Sequence, residues 1–253
     1  MKALAFGVLL AIAPIAALAQ DRPYPWEFRA EDAHEDLDRG RADWEEGLVQ
    51  LAWRPRRGLA LLGGARATDR FDQRDREGFA AAWLPLGSER TTLHVEGTAS
   101  STHRVLARWT ALAELSHAFG EGWVGSAAAK LSRFSQADAR TVSATVERYM
   151  GDFRLGYTAF LSRPESGSWS PAHRIAASWY RGDLTYVTVA GARGREVENV
   201  FPSGLLASDV RAASIGAGLE LAPRWGLTLE WARVRQGDLY TRRTARIGTR
   251  LLF

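Results

Sequence analysis

The sequence predicts an all-β protein, a single antiparallel transmembrane β-barrel of the outer-membrane type with about 14 strands. Residues 241–253 alternate between apolar and polar side chains up to a terminal Phe253, as expected for a strand with one face toward lipid and the other toward a polar lumen. Short turn sequences recur along the whole chain. After residue 19, no segment approaches the roughly 20 consecutive apolar residues of a membrane helix, which leaves β-structure as the way into a bilayer.

Residues 1–19 have the features of a cleaved signal peptide. Lys2 precedes an apolar run that ends in small residues at Ala19. The barrel domain is therefore predicted to comprise residues 20–253. The sequence contains no cysteine, so we expect neither a disulfide nor a lipid-modified cysteine behind the signal peptide.

The charge balance limits the possible partners. The chain has 33 Lys and Arg against 29 Asp and Glu, a formal net charge of +4. A nearly neutral chain of this kind does not indicate a nucleic-acid partner. Arginine supplies almost all of the positive charge, because Lys2 and Lys130 are the only lysines.

Six short turn sequences divide the chain at intervals of about thirty to forty residues, which leaves room for two strands and one loop in each interval. They lie at residues 54–58, 85–88, 120–122, 151–152, 181–183 and 222–224. Aromatic residues flank nearly all of them, and we interpret these as one girdle at the membrane interface. The predicted girdle consists of Trp53, Trp83, Phe119, Trp123, Tyr149, Phe153, Trp179, Tyr180, Trp225 and Phe253.

Longer polar connections alternate with these turns and are predicted to face the outside of the cell. They lie at residues 37–42, 69–77, 100–107, 135–139, 163–172, 193–208 and 236–240. Seven such loops and six turns imply 14 strands with both chain ends in the periplasm. A 12-strand barrel with residues 21–43 left as an arm is the alternative, because residues 31–41 are crowded with charge and have almost no lipid face.

The alternation in the middle of the chain agrees with an inverted, membrane-type barrel. Phe153, Leu155 and Tyr157 fall on one face, and Arg154 and Thr158 fall on the other. A soluble β-sandwich or a lipocalin-like barrel would point the apolar face inward instead. The signal peptide, the girdle and the terminal phenylalanine favour lipid outside and polar groups inside.

Four segments resemble a known family. Residues 194–200, 208–211 and 235–243, together with 102–105, are similar to the corresponding segments of the YaiO family of outer-membrane β-barrel proteins. The resemblance implies an outer-membrane location and a barrel fold. Some family members are associated with polysaccharide production or export, so the resemblance points weakly to that role.

Charged side chains on the predicted inner face are candidate lumen residues. Alternation places Arg242, Arg246 and Arg250 in a row on the last strand, and Glu230 on the strand before it. We expect the same lumen to contain His94, Glu96, Glu114, Lys130, Glu147, Arg154 and Arg174. Two interpretations remain open: a mixed-sign lining that tunes ion passage, or charges that pair with each other and plug the barrel.

A second group of polar residues is predicted at the outer mouth. It consists of Glu196, Glu198, Asn199, Asp209, Arg211, Asp238, Tyr240 and Arg242. Carboxylate–guanidinium pairs in this group would hold a loop in one geometry. The functional interpretation is a sugar or anion site formed by Glu198, Asp238, Tyr240 and Arg242, in which Tyr240 offers a stacking face and the charged groups bind hydroxyl or acid groups.

We expect the protein not to be an enzyme and to need no metal or other cofactor. Some outer-membrane barrels act on lipids with a serine and a histidine, but Ser116 and His117 are adjacent and would point to opposite faces of a strand. Ser168, Ser170 and His173 lie in a loop without an oxyanion device. The five histidines are scattered, with no pair at short metal-ligand spacing.

The expected function is a narrow polar pore, or an accessory for the transport of surface polysaccharide or exopolysaccharide. A closed structural barrel, or one that binds a partner through its loops, is the alternative, and a lipid-modifying enzyme is a more remote one. The expected partners are outer-membrane lipid, the barrel-assembly machinery, for which Phe253 is the signal, and a polysaccharide or another polar solute.

Overall fold

The computed structural model describes residues 24–56, 58–200 and 204–253. The predicted signal peptide, residues 1–19, lies outside this part of the chain. Within the described residues the chain forms 14 β-strands: β1 (Trp26–Leu37), β2 (Trp44–Arg56), β3 (Leu59–Arg70), β4 (Gln73–Leu86), β5 (Ser88–Ser100), β6 (Trp109–Gly120), β7 (Trp123–Arg133), β8 (Asp138–Met150), β9 (Phe153–Pro164), β10 (Ser170–Tyr180), β11 (Tyr186–Val200), β12 (Gly204–Ala222), β13 (Trp225–Gln236) and β14 (Tyr240–Leu252). The same residues contain no helix that is long and apolar enough to cross a membrane.

The strands form one closed antiparallel barrel in which each strand pairs with its neighbours in sequence, and β1 pairs with β14. The closing register runs from Glu27 opposite Leu252 to Leu37 opposite Arg242. At the end of the seam, the backbone N–H of Trp26 donates to the carbonyl of Phe253 at 2.9 Å. The predicted fold class and the count of 14 strands are confirmed. The 12-strand alternative is wrong because the predicted arm contains β1, which closes the barrel.

The start of β1 and the end of β14 lie at the end of the barrel that carries the six short connections, which we call the turn end. The other seven connections lie at the opposite loop end. Two of the predicted outer loops are shorter than expected. Residues 69–77 form a two-residue turn at Phe71 and Asp72, where φ is 56° and 58°, and residues 193–208 are mostly the paired ends of β11 and β12.

The two faces of the wall follow the predicted alternation. On β14, Ala245, Ile247 and Leu251 are exposed on the outer face, whereas Arg242 and Thr244 are buried on the inner face. Apolar outward residues continue from strand to strand around most of the barrel, for example from Ile215 of β12 to Trp231 of β13 in the same register. Exposed apolar side chains around a charged interior are the arrangement that a bilayer requires.

The aromatic girdle at the turn end is smaller than predicted. Trp53 stacks on Trp26 with ring centroids 6.0 Å apart, and Phe119, Trp123, Phe153, Trp179, Trp225 and Phe253 also lie on outward positions. The prediction is wrong for Trp83, Tyr149 and Tyr180. These three side chains share the inward face with polar neighbours and line the lumen.

Candidate functional site

The lumen has two different walls, and the first of them is a ladder of ion pairs along β14 and β1. Arg250 donates to Glu27 at 3.0 Å and Arg246 donates to Glu31 at 3.2 Å. Arg242 donates to Glu35 at 3.3 Å. The ladder arises because both strands place charged residues on the inward face and the antiparallel register brings arginines of one next to carboxylates of the other.

The ladder extends sideways into the strands on either side. Arg246 also reaches Glu46 of β2 at 3.2 Å and Glu230 of β13 at 3.9 Å. Glu46 is contacted by Arg70 at 3.1 Å and by Arg66 at 3.8 Å. Charge from five adjacent strands is thereby joined in one network, which we call the ion-pair wall. Its side chains are mostly buried, as the 3% exposure of Glu31 and the 11% exposure of Arg246 illustrate.

The ion-pair wall fills its side of the lumen. Buried charges of this kind hold their geometry through charge-assisted hydrogen bonds, although their net stabilisation is small, and removing one partner costs several kcal/mol because the other is left uncompensated. The predicted row of Arg242, Arg246 and Arg250 does face the lumen, with Glu230 beside it. In this structure each of the three arginines pairs with a glutamate of β1, and Arg246 also lies 3.9 Å from Glu230.

The opposite wall, formed by β4–β10, borders a cavity of about 520 Å³. Its lining includes residues of the turns at the turn end, among them Gly122, Gly151 and Asp152, so the cavity reaches that end of the barrel. Seven serine and threonine side chains belong to its lining. They are Thr92, Ser116, Ser126, Thr141, Ser143, Thr145 and Thr158.

The cavity also contains charges and aromatic rings. All seven of the other predicted lumen residues, His94, Glu96, Glu114, Lys130, Glu147, Arg154 and Arg174, belong to its lining. Arg154 lies 3.5 Å from Glu147. Among the residues that the structure describes, no carboxylate lies within 4.0 Å of Lys130. The ring of His94 stacks on that of Trp83, with centroids 4.2 Å apart.

One connection at the loop end folds inward over the lumen. Asp75, on the inward face of β4, accepts hydrogen bonds from the backbone N–H groups of Val105 at 2.6 Å and Leu106 at 2.8 Å. These residues belong to the β5–β6 connection, residues 101–108, which we call the mouth loop. The hydroxyl of Ser135 donates to its His103 carbonyl at 2.7 Å. The mouth loop is thus held from two sides.

Aromatic packing buries side chains at the loop end of β1, β2 and β14. Trp44 and Tyr240 are almost completely buried and pack with Leu37. Trp44 lies edge to face against Tyr240, at 5.8 Å between centroids, and the guanidinium groups of Arg70 and Arg242 lie over its ring at 4.9 and 5.4 Å. Such cation–π contacts join the aromatic cluster to the ion-pair wall.

The structure does not gather the predicted outer-mouth group into one site. Asp209 and Arg211 are exposed on the outward face, and the side chain of Asp238 is 96% exposed at the β13–β14 turn. Tyr240 is buried rather than available for stacking. Glu196 lies on an inward position of β11, and the side chains of Glu198 and Asn199 lie outside the described part of the chain.

The structure also shows where the candidate serines and histidines lie. Ser116 faces the lumen and donates to Glu114 at 3.3 Å, whereas His117 is exposed and lies 2.9 Å from the Thr91 hydroxyl. His173 is 2.7 Å from the Tyr157 hydroxyl on the outer face. Neither histidine hydrogen-bonds a serine in the described residues.

Sequence reasoning missed Asp75 and the mouth loop. Asp75 lay inside a predicted outer loop, residues 69–77. Alternation along a strand therefore could not assign its side chain to the inner face until the turn at residues 71–72 was known. The buried Trp44 was missed for a similar reason. Its neighbourhood was charged, which gave no sign that its ring would pack inside the barrel. The similarity of residues 102–105 to a known family was the one signal that the mouth loop differs from an ordinary connection.

A closed antiparallel barrel with lipid-compatible side chains outside and charged side chains inside defines an integral outer-membrane β-barrel protein. Residues 27–199 match the YaiO membrane beta barrel domain. The chain therefore belongs to this family. A comparison with curated protein sequences gives no match.

Solved structures share the fold at low sequence identity. A bacterial polysaccharide outer membrane secretin is 10% identical, with a TM-score of 0.58 over 92% of this chain and 100% of its own. Omp33 of Acinetobacter baumannii is 12% identical, with a TM-score of 0.57 over 91% and 98%. The KdgM porin, solved in complex with disordered oligogalacturonate, is 10% identical, with a TM-score of 0.50 over 89% and 99%. At these identities the similarity concerns the fold alone.

Proposed function

We propose that the barrel is a non-enzymatic polar passage that admits a hydroxyl-rich solute, such as a segment of polysaccharide, from the turn end. The cavity along β4–β10 carries this proposal. One wall of the lumen is filled by paired charges, and the other leaves about 520 Å³ that is lined by hydroxyl and charged groups. A glycan has donors and acceptors in every ring, so a wall of serine and threonine hydroxyls can exchange hydrogen bonds along its length.

The fold neighbours make an oligosaccharide the first solute to test. One is named for a polysaccharide and another was solved with oligogalacturonate. Lys130, which has no carboxylate within 4.0 Å among the described residues, would favour a solute that carries acid groups. Its neighbours Glu96 and Glu77 lie farther away and moderate the local charge.

The mouth loop determines how far a solute can travel. Because Asp75 holds this loop across the loop end, passage through the barrel requires the two Asp75 hydrogen bonds to open. The second candidate function is a closed barrel that stabilises the membrane or binds partners through its loops. The mouth loop favours this function because it lies over the loop end, and the ion-pair wall favours it because paired charges occupy one side of the lumen.

The remaining parts of the proposal concern chemistry and export. The separation of Ser116 from His117 across the wall supports a non-enzymatic role, since a serine needs a base within hydrogen-bonding reach to act as a nucleophile.

We further propose that residues 1–19 are removed on export and that the barrel-assembly machinery recognises the last strand. Intact-mass measurement of protein taken from membranes tests the cleavage site.

Single-channel conductance in a planar bilayer tests the passage directly. We expect rare, small openings for the natural sequence and frequent openings for Asp75→Ala, which releases the mouth loop. Lys130→Gln added to Asp75→Ala should shift selectivity toward cations. The matched control is Arg148→Gln, which removes a cation that lies over Trp123 at 5.0 Å on the outer face. If no folded variant conducts ions, including Asp75→Ala, the result would instead establish the closed barrel.

A further inference from the structure

Five exposed arginines form a belt on the outer surface at the loop end of β11–β14. Arg193 of β11 lies opposite Arg211 of β12, which lies opposite Arg235 of β13. One step toward the turn end, Arg233 of β13 lies opposite Arg243 of β14. All five are on the outward, exposed face of their strands, and we call them the arginine belt.

Most of this positive charge is not neutralised by the protein. Arg235 has Asp238 at 3.7 Å, and Arg243 has Asp36 at 3.1 Å. Within the described chain, Arg193, Arg211 and Arg233 have no carboxylate within 4.0 Å. Neighbouring strands lie about 4.8 Å apart, and like charges placed directly opposite each other destabilise a sheet. An anion seated between these guanidinium groups would remove that repulsion.

The belt borders the apolar surface that faces lipid. Directly toward the turn end from it lie Val189, Ile215 and Trp231, all exposed on the outer face. Short turns and chain ends of outer-membrane barrels lie in the periplasm, so the loop end meets the outer leaflet. The arginines are therefore at the level where lipid head groups begin and acyl chains end.

The belt is bordered on one side by acidic residues. On β1–β3, which adjoin β14 in the closed barrel, the outward positions at the loop end include the acids Asp32, Asp36, Glu45 and Asp69. An anionic head group is therefore favoured at β11–β13 and disfavoured at the adjoining β1–β3.

We propose that the arginine belt binds the phosphate groups of a phosphorylated lipid in the outer leaflet. Arginine suits this ligand because its planar fork donates two parallel hydrogen bonds to a phosphate. The acyl chains lie against the apolar strip of β11–β13, beneath the head group, with Trp231 at the boundary. The site is on the outside of the wall and does not depend on any function of the lumen.

Native mass spectrometry of the refolded barrel in detergent tests this site. The probes are lipid A with its phosphates and the same lipid A after phosphatase treatment. We expect the natural sequence to retain the phosphorylated form at least tenfold better. The variant Arg193→Gln, Arg211→Gln, Arg233→Gln should lose most of that preference. The control removes three other outward arginines, through Arg74→Gln, Arg76→Gln and Arg133→Gln, and should keep it.

Other outcomes overturn the proposal. Equal retention of the two lipid A forms by the natural sequence, or full retention of phosphorylated lipid A by the belt variant, would show that the arginines do not select for phosphate. Displacement of the lipid by millimolar inorganic phosphate with no dependence on acyl chains would indicate a free-anion site. A lipid-free dimer that the belt variant abolishes would indicate an interface between copies of the chain. Heat-modifiable mobility of each variant on a gel establishes that it has folded.

Discussion

Replacing Arg246 by methionine should destabilise the barrel far more than the same replacement at Arg243, three residues away on the same strand. Arg246 is 11% exposed and contacts three carboxylates, whereas Arg243 is 59% exposed and contacts only Asp36. Methionine keeps much of the side-chain length and removes the charge, so the comparison isolates the ion-pair wall.

The expected loss of unfolding free energy depends on which cations remain beside the three carboxylates once Arg246 is replaced. Glu46 retains Arg70 at 3.1 Å, and Glu31 retains Arg29. Glu230 loses the cation at 3.9 Å, and no other cation lies within 4.0 Å of it in the described chain. Breaking a buried pair costs about 3–5 kcal/mol. Because two of the three carboxylates remain paired, we expect about 3 kcal/mol for Arg246→Met, and about 0–1 kcal/mol for the exposed pair of Arg243.

Urea unfolding in lipid vesicles, followed by tryptophan fluorescence, measures the difference. The loss should shrink when Glu230→Gln is added to Arg246→Met, because the uncompensated carboxylate is then neutral. Equal unfolding free energies for Arg246→Met and Arg243→Met would refute the reasoning, since they would mean that the wall is solvated like the outer surface.

Three further predictions concern the ends of the barrel. Asp75→Ala should make trypsin cleavage within residues 101–108 at least about a hundredfold faster, because it removes two hydrogen bonds to a carboxylate, each worth about 1.5–3 kcal/mol. The backbone N–H of Thr241 holds the pKa of Asp38 below its usual value. This contact therefore stabilises the folded state above about pH 4, and the stabilisation is lost as the pH falls through the pKa of the folded state. An NMR titration of the Asp38 carboxyl measures that pKa. Phe253→Ala should lower the amount of heat-modifiable protein in the membrane. It should leave the unfolding free energy of the assembled protein nearly unchanged, because residue 253 makes its hydrogen bonds to Trp26 through its backbone.

Each of these predictions has a control and a contradicting outcome. Asp69→Ala breaks an exposed pair with Arg74 and should leave trypsin cleavage unchanged; equal effects of the two alanine variants would argue against a held mouth loop. An Asp38 carboxyl that titrates at the ordinary value would mean that the β1–β2 connection is not docked on β14. Normal membrane levels of the Phe253→Ala protein, beside those of Leu251→Ala, would show that the last residue is not an assembly signal.

Much of the barrel could be predicted from residue patterns alone. The alternation of residues 241–253 gave the face of every side chain on β14, because a strand places successive residues on opposite sides. Regular spacing of the turn sequences gave the number of strands. β1 was the least certain strand because its outward face includes Asp32 and Asp36. Its pairing depends on β14, and no local pattern reveals a contact between the two ends of a chain.

The errors have identifiable physical causes. Trp83, Tyr149 and Tyr180 were assigned to the girdle because they are aromatic and near turns, although Tyr149 shares the parity of Thr145 and would have been placed inward by alternation. The mouth-loop contact with Asp75 depends on a two-residue turn that leaves the carboxylate inside the barrel. The residues of the predicted outer-mouth group do not form one site, because the extended pairing of β11 and β12 keeps Asp209 and Arg211 on the outward face.

The cavity that β4–β10 border should be filled with water and accessible from the turn end. The natural sequence has no cysteine, so one introduced thiol reports on one position. Ser143→Cys faces the cavity and Val142→Cys faces the lipid on the same strand. In vesicles with the turn end accessible, we predict that a charged, membrane-impermeant thiol reagent modifies Ser143→Cys at least tenfold faster than Val142→Cys. Equal rates, or no reaction of the Ser143→Cys thiol in a folded barrel, would contradict an open polar cavity.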